Sequence, residues 1–248
     1  MSFVSSWTVW TGKAVRSLRK RGVTGSINFA AALAKRVLSG RWINFPYENP
    51  WCRYLDARFD RRFALDTASI INLPELQTEP RFKDANKYAP TPRFLFRRAL
   101  RHVQVDYDKF VFIDFGCGKG KALLLASELP FKQIIGIELS SKLIRVAEDN
   151  LRSYLSRPRE CNGVQLACMD ATEYQIPYEP AIYYFCNPFG TEVMHKVLEN
   201  IRLSLAEAPR EVYVVYLNPE LQSLLDESGF LAPIKRTTWY SIYKASGA

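Results

Sequence analysis

The sequence predicts an α/β fold in which a doubly wound, mostly parallel sheet of seven strands follows a basic, helical N-terminal extension. Three observations predict it. From residue 110 onward, short apolar runs of strand length alternate with stretches of helix length. A glycine-rich loop follows the first of these runs, and two β-prone runs close the chain. Such alternation produces parallel strands with right-handed crossovers, and ligands bind outside the carboxyl ends of those strands.

Length and composition predict one domain with an extension. The chain has 248 residues and an apolar fraction of 48%, which is enough to bury a full core. We assign residues 1–92 to a helical extension and a segment that covers the ligand or substrate, and residues 93–248 to the main domain. The five cysteines form no C-x-x-C pair and there are only two histidines, so neither a metal site nor a disulfide is predicted.

Positive charge is concentrated at the N-terminus. The first 50 residues hold eight Lys and Arg and one acidic residue, a net charge of +7 out of +9 for the chain. This segment predicts either a basic arm that contacts an anionic surface or a helical layer packed on the main domain. No apolar run approaches the roughly 20 residues of a membrane span, and no signal-peptide pattern is present, so a cytoplasmic location is expected.

Helix-ending glycines and clusters of prolines predict the elements that precede the sheet. Residues 26–38 predict a helix that ends before Gly40. Residues 41–92 are rich in proline and aromatic residues and predict an irregular connection, long enough to be a binding loop or lid. Residues 93–104 predict a basic helix that leads into the first strand.

The elements of the sheet follow in regular order. Each strand is a short apolar run, and the helix after the second strand is capped by Ser140 or Ser141. The predicted strands are residues 110–115, 134–138, 164–168, 181–186 and 211–217, with a closing pair at 230–236 and 237–243. One predicted helix begins at residue 122, and three others cover residues 140–155, 191–206 and 220–227.

The loop after the first strand predicts a nucleotide-type ligand without a phosphate. Lys121 stands where the dinucleotide fingerprint needs its third glycine or alanine, and Lys119 is followed by Gly120 instead of the Ser or Thr of a phosphate-binding loop. Asp114, directly before the glycines, would repel a pyrophosphate. The stretch Asp114-Phe115-Gly116-Cys117-Gly118-Lys119-Gly120 instead resembles motif I of the class I S-adenosylmethionine (SAM)-dependent methyltransferases. The resemblance covers about residues 90–245 and implies a Rossmann-like sheet of seven strands, the last of them antiparallel.

The resemblance also implies which residues hold SAM. Glu138 ends the second strand and would accept both ribose hydroxyls, unless it only stabilises the next helix. Asp170 follows the third strand and would accept the adenine amino group, unless it only caps a turn. The remaining predicted contacts are Asp114, Gly116, Cys117, Gly118 and Gly120 at the methionine end, Ala171 beside the adenine, and Tyr88 in the covering segment.

The fourth strand ends in the residues predicted to touch the methyl acceptor, Asn187, Pro188 and Phe189. They resemble the (Asn/Asp/Ser)-Pro-Pro-(Tyr/Phe) motif of amino-methylating relatives, in which the first side chain and a backbone carbonyl orient the target nitrogen. The second proline is missing, which disfavours a stacked nucleic-acid base. Asn187 would otherwise be a strand terminator, which is our preferred interpretation of the second Asn-Pro, at Asn218.

The sequence therefore predicts a SAM-dependent methyltransferase that acts on the nitrogen of a protein lysine or other amine. One alternative is O-methylation of a small metabolite, with His195 or Asp60 as general base. Another is a SAM-binding or scaffold protein without catalysis. A protein or small molecule is favoured as methyl acceptor over nucleic acid.

Overall fold

The computed structural model describes residues 50–72, 85–155, 160–161 and 163–245. Its helices are α1 (Pro50–Phe63), α2 (Arg93–Leu100), α3 (Lys121–Ala126), α4 (Ser141–Leu155), α5 (Thr191–Glu207) and α6 (Gln222–Asp226). Its strands are β1 (Val111–Phe115), β2 (Gln133–Glu138), β3 (Val164–Cys168), β4 (Ala181–Cys186), β5 (Val212–Leu217), β6 (Leu231–Arg236) and β7 (Tyr240–Ala245). Single 3-10 turns occupy Tyr107–Lys109 and Ala171–Glu173.

The seven strands form one sheet in the order β3-β2-β1-β4-β5-β7-β6. The first five strands pair in parallel, and β7 is antiparallel to both β5 and β6. The strand order reverses between β1 and β4, so the carboxyl ends of these two strands open a crevice where a ligand can bind. The predicted seven-stranded, mostly parallel sheet is confirmed.

Both faces of the sheet are covered. On one face, Phe112 and Tyr184 pack in a core that also contains apolar residues of α2, α3 and α4. On the other face, Ile113 and Phe115 pack in a second core shared with α5. Because the central strands are buried on both sides, every residue of β1 is buried, which explains why its sequence is apolar on both faces, apart from Asp114, and does not alternate.

The prediction of an irregular connection over residues 41–92 was wrong for its middle part, because α1 is a helix of 14 residues. The helix packs through Phe59 and Phe63 against Tyr154 of α4. Its buried side also carries two carboxylates, Asp56 and Asp60. Charged residues on the inner face weaken the apolar periodicity from which an amphipathic helix is recognised.

Other elements differ from prediction at their ends. The helix expected over residues 93–104 ends at Leu100, and the last strand begins at Tyr240. Thr237 forms the turn before it, because its hydroxyl oxygen accepts the backbone N–H groups of Trp239 and Tyr240. The helix predicted at residues 26–38 and the basic arm lie outside the described residues. Within the described ranges, no helix has the length and apolar character needed to span a membrane.

Candidate functional site

A cavity lies at the carboxyl ends of the central strands, where the order of the sheet reverses. Its floor is the loop after β1, one wall is the end of β2, and the opposite wall is the end of β4. The segment 85–91 closes its side. Ten of the twelve predicted site residues line it, and they are Tyr88, Asp114, Gly116, Cys117, Gly118, Glu138, Asp170, Ala171, Pro188 and Phe189. Gly120 and Asn187 are not part of the lining.

The glycine loop needs its glycines for two reasons. Gly116, Gly118 and Gly120 all have positive φ, between 54° and 80°, which side chains with a Cβ rarely adopt. In addition, a Cβ at Gly118 would overlap the ring of Tyr88, and a Cβ at Gly116 would overlap Pro188. The covering segment and the end of β4 therefore both lie directly on the loop. Gly120 serves as the N-cap of α3 and does not face the cavity.

Glu138 connects the loop to the end of β2. Its Oε2 accepts the N–H of Gly118 at 3.0 Å, and its Oε1 accepts the N–H of Ser140, just before α4, at 2.8 Å. Burial raises the pKa of Glu138, while these two backbone hydrogen bonds lower it. The carboxylate thus already orders the loop and the start of α4. Its predicted contact with ribose stays a prediction, for which each oxygen keeps a further acceptor position.

Asp114 is a buried carboxylate without a hydrogen-bond donor among the described residues. The residue is 3% exposed and faces the cavity. Burial, and then the nearby charge of Glu138, raise its pKa well above the usual range. A buried, unpartnered carboxylate is costly, and a ligand that supplies N–H donors and positive charge would compensate it. The amino and sulfonium groups of SAM meet this requirement, so the residues present fit SAM.

Asp170 caps the 3-10 turn that follows β3. Its Oδ1 accepts both the backbone N–H and the hydroxyl of Thr172, each at 2.8 Å. The capping contact considered as the alternative role is therefore present. Asp170 and the neighbouring Ala171 nevertheless line the cavity, so the adenine contact stays a prediction.

The side chain of Asn187 lies beside Tyr216 and not in the cavity wall. Its Oδ1 accepts the hydroxyl of Tyr216 at 3.0 Å, and its backbone has φ of 50°. Asn218, the second Asn-Pro, has the same φ, but its Nδ2 donates to Glu220 at 2.9 Å, as expected of a turn residue. Of the three predicted acceptor-side residues, only Pro188 and Phe189 face the cavity directly.

Asn86 is a site residue that the sequence analysis missed. Its backbone N–H donates to the Pro188 carbonyl at 3.0 Å, and its Nδ2 donates to the carbonyls of Asn187 and Phe189 at 3.0 and 3.1 Å. It therefore clamps the covering segment to the end of β4. The only signal in the sequence was its place two residues before Tyr88.

The two bases considered for O-methylation do not line the cavity. Asp60 is buried against α3, where its carboxylate accepts the backbone N–H groups of Thr67 and Ala68, both at 2.6 Å. His195 is exposed on α5. Cys186, at the end of β4, does line the cavity, but burial raises its pKa to about 12, so the thiol stays protonated. No group of three or more His, Cys, Asp or Glu that could hold a metal occurs in the described part of the chain.

The chain is similar to known methyltransferases. A family model described as a methyltransferase domain matches residues 112–208. A curated protein-lysine N-methyltransferase of Saccharolobus islandicus is 35% identical over 65 residues, which are 26% of this chain and 40% of that protein. This chain therefore matches less than half the length of that relative.

Solved structures show likeness of fold. A precorrin-6y C5,15-methyltransferase of Geobacter metallireducens matches with a TM-score of 0.47 and 15% identity, over 64% of this chain and 90% of that one. An RNA methyltransferase of Salinibacter ruber, solved in complex with S-adenosyl-L-homocysteine, matches with a TM-score of 0.44 and 20% identity, over 63% and 92% of the two chains.

Proposed function

We propose that this chain, whose residues 112–208 match a methyltransferase-domain family model, is a class I SAM-dependent methyltransferase that methylates a nitrogen atom, of a protein lysine or another amine. The cofactor that this family implies is SAM, and the residues that line the cavity fit it. The nitrogen assignment rests on the residues at the end of β4, and the curated relative named as a protein-lysine N-methyltransferase supports it. The observation that carries the proposal is the neutral lining of this end of the cavity.

Among the described residues that line the acceptor end, none is suited to general-base catalysis. Pro188, Phe189 and Val193 line it together with Asn86 and the protonated thiol of Cys186. An alcohol is a poor nucleophile and needs a base, whereas a neutral amine does not. Desolvation in such a site also disfavours the ammonium form, so a buried lysine side chain gives up its proton more readily there. This chemistry supports nitrogen over oxygen as the acceptor.

Bound SAM supplies a methyl group on a sulfonium, so that attack by a nitrogen lone pair breaks the methyl–sulfur bond and releases S-adenosyl-L-homocysteine. The residues of this chain contribute position and charge. We assign the ribose to Glu138, the adenine amino group to Asp170 and the methionine end to Asp114. Asn187 and its neighbours orient the acceptor nitrogen. In this structure the side chain of Asn187 is hydrogen-bonded to Tyr216. To orient the acceptor nitrogen, either this side chain rotates or the backbone carbonyls of residues 187–189 act in its place.

We expect Asn187→Ala to lower the rate of methyl transfer by about tenfold to a hundredfold, while SAM affinity stays within about twofold. The substitution removes the amide that orients the acceptor and the partner of Tyr216, and neither contacts the predicted SAM site. Isothermal titration with SAM and a single-turnover transfer assay measure the two quantities separately.

Asn218→Ala is the matched control, because Asn218 has the same backbone conformation before a proline but does not line the cavity. It should change neither quantity. If Asn187→Ala keeps full turnover, or loses SAM binding, Asn187 does not orient the acceptor.

The acceptor itself is identified by incubating a cell lysate with the protein and SAM labelled in its methyl group. We expect label in protein, on lysine. Label on an oxygen atom of small molecules would favour O-methylation of a small metabolite. SAM binding without any labelled product would favour a non-catalytic binding protein. Label in RNA or DNA would contradict our preference for a protein or small-molecule acceptor.

A further inference from the structure

Two lysines at the end of the glycine loop are buried, and one of them, Lys121, also forms part of the cavity lining. Lys119 and Lys121 are 3% and 2% exposed. A buried ammonium is expensive unless it is paired and hydrogen-bonded. Both find their partners in residues 56–69, upstream in the chain.

Lys121 lies between two carboxylates of α1. Its Nζ is 3.6 Å from an oxygen of Asp56 and 3.6 Å from an oxygen of Asp60, and 3.9 Å from the centre of the Phe59 ring. It also donates to the hydroxyl oxygen of Thr67 at 3.0 Å. Asp60 in turn accepts the hydroxyl and the N–H of Thr67, each at 2.6 Å. Lys121 and Asp60 therefore fix Thr67 from two sides.

Thr67 in turn holds Tyr88, which forms part of the cavity wall. Its carbonyl accepts the hydroxyl of Tyr88 at 2.8 Å, and the ring of Tyr88 lies against Gly118. Lys121 thus contacts Thr67, Thr67 contacts Tyr88, and Tyr88 contacts the glycine loop, which directly precedes Lys121 in the chain. A backbone bridge between Ile71 and Tyr88 holds the same wall by a second route.

Lys119 anchors the same segment a few residues further on. Its Nζ donates to Asp66 at 2.8 Å and to Ser69 at 2.5 Å. Asn150 of α4 completes this anchor, because its side chain bonds both the backbone of Asp66 and the carbonyl of Lys119. Residues 64–72 are therefore fastened to the loop at both lysines.

We propose that Lys121 is a positioning residue for the cofactor, which holds Tyr88 as a wall of the SAM cavity through Asp60 and Thr67. The proposal rests on the SAM site described above. It explains why a lysine stands where the dinucleotide-binding loop carries a small residue, because the buried carboxylates of α1 lie next to the start of α3 and need a counter-charge there. The upstream segment is then part of the cofactor site and not only a cover over it.

The test is a double-mutant cycle on SAM affinity with Lys121→Met and Tyr88→Phe. Lys121→Met removes the ammonium but keeps an apolar stem, and we expect SAM affinity to fall by about tenfold or more. Tyr88→Phe removes only the hydroxyl bond, and we expect a loss of about threefold, as for one neutral hydrogen bond. If both substitutions act through the same contacts at Thr67, the double variant binds SAM no more weakly than Lys121→Met alone.

Ile201→Ala is the control for general destabilisation, because Ile201 is fully buried on the opposite face of the sheet. Its unfolding temperature should fall while its SAM affinity stays that of the wild type. If Lys121→Met does not fold, Thr67→Val replaces it, since valine keeps the carbonyl that Tyr88 needs but removes the hydroxyl that Lys121 and Asp60 hold.

The outcomes separate this proposal from the assignment of function. SAM affinity of Lys121→Met equal to that of the wild type, or losses that multiply in the double variant, would overturn the positioning role. Failure of the wild type to bind SAM would instead overturn the cofactor site. Methyl transfer is not the readout here, so a wrong acceptor does not affect the result.

Discussion

Replacing Gly118 with alanine is expected to weaken SAM binding by about a hundredfold or more. Gly118 has φ of 54°, where a residue with a Cβ costs about 1–2 kcal/mol, and the added methyl would overlap the ring of Tyr88. Either the ring or the loop must move, and both line the cavity. Since about 1.4 kcal/mol corresponds to a tenfold change, the expected hundredfold loss of affinity is about 2.8 kcal/mol. Isothermal titration with SAM measures it.

Gly229→Ala separates the two costs. Gly229 also has positive φ, 76°, but no atom lies within 4 Å of where its Cβ would be. This variant should lose about 1–2 kcal/mol of stability and bind SAM normally. Adding Gly118→Ala to a Tyr88→Ala background removes the overlap, so there it should cost much less than in the wild type. An equal cost in both backgrounds would mean that the Tyr88 ring is not the obstacle.

Asp60 and Asp56 are expected to have opposite effects on stability although they flank the same lysine. Asp60→Ala removes an acceptor of three hydrogen bonds and a partner of Lys121, so we expect a loss of about 3–5 kcal/mol, typical of a broken buried ion pair. Asp56 has no such hydrogen bonds among the described contacts, and Asp56→Asn should be neutral or stabilising near pH 7. Urea unfolding of the two variants measures the difference.

The sign of the Asp56 effect follows from its pKa. Burial raises that pKa to about 6, Lys121 opposes the rise, and Asp60 adds to it. The folded state therefore holds the proton more tightly than the unfolded state, where the pKa is about 3.9. The resulting stabilisation is fully present below about pH 4 and is lost as the pH rises through 6, at a cost of about 3 kcal/mol.

Asparagine imitates the protonated form of Asp56. Asp56→Asn should thus exceed the wild type in stability by up to about 3 kcal/mol at about pH 7.5, and the difference should vanish near about pH 4. The difference in the free energy of unfolding between the two proteins isolates the effect of Asp56, because all other carboxylates are common to both. A variant less stable than the wild type at the higher pH would show that the attraction between Asp56 and Lys121 outweighs the cost of burial.

The sequence by itself determined the sheet and most of the floor of the cavity. The strands from Val111 to Leu217 were recognisable because each is a short, mostly apolar run, which is a local property. All of them except the half-exposed edge strand β3 are buried on both faces. The glycines at 116 and 118 were recognisable for the same reason, since positive φ and close approach restrict a position to one residue type. Asp114, Glu138 and Asp170 followed from their places at successive strand ends.

Only the tertiary structure decided how the segment before the sheet is built and what the polar side chains bond. Helix α1 escaped prediction because its inner face carries Asp56 and Asp60, whose counter-charge, Lys121, lies about sixty residues away in the chain. The clamp by Asn86 and the bond from Tyr216 to Asn187 likewise join residues that are 101 and 29 positions apart. Burial of a charged or polar group depends on a partner that local sequence does not reveal.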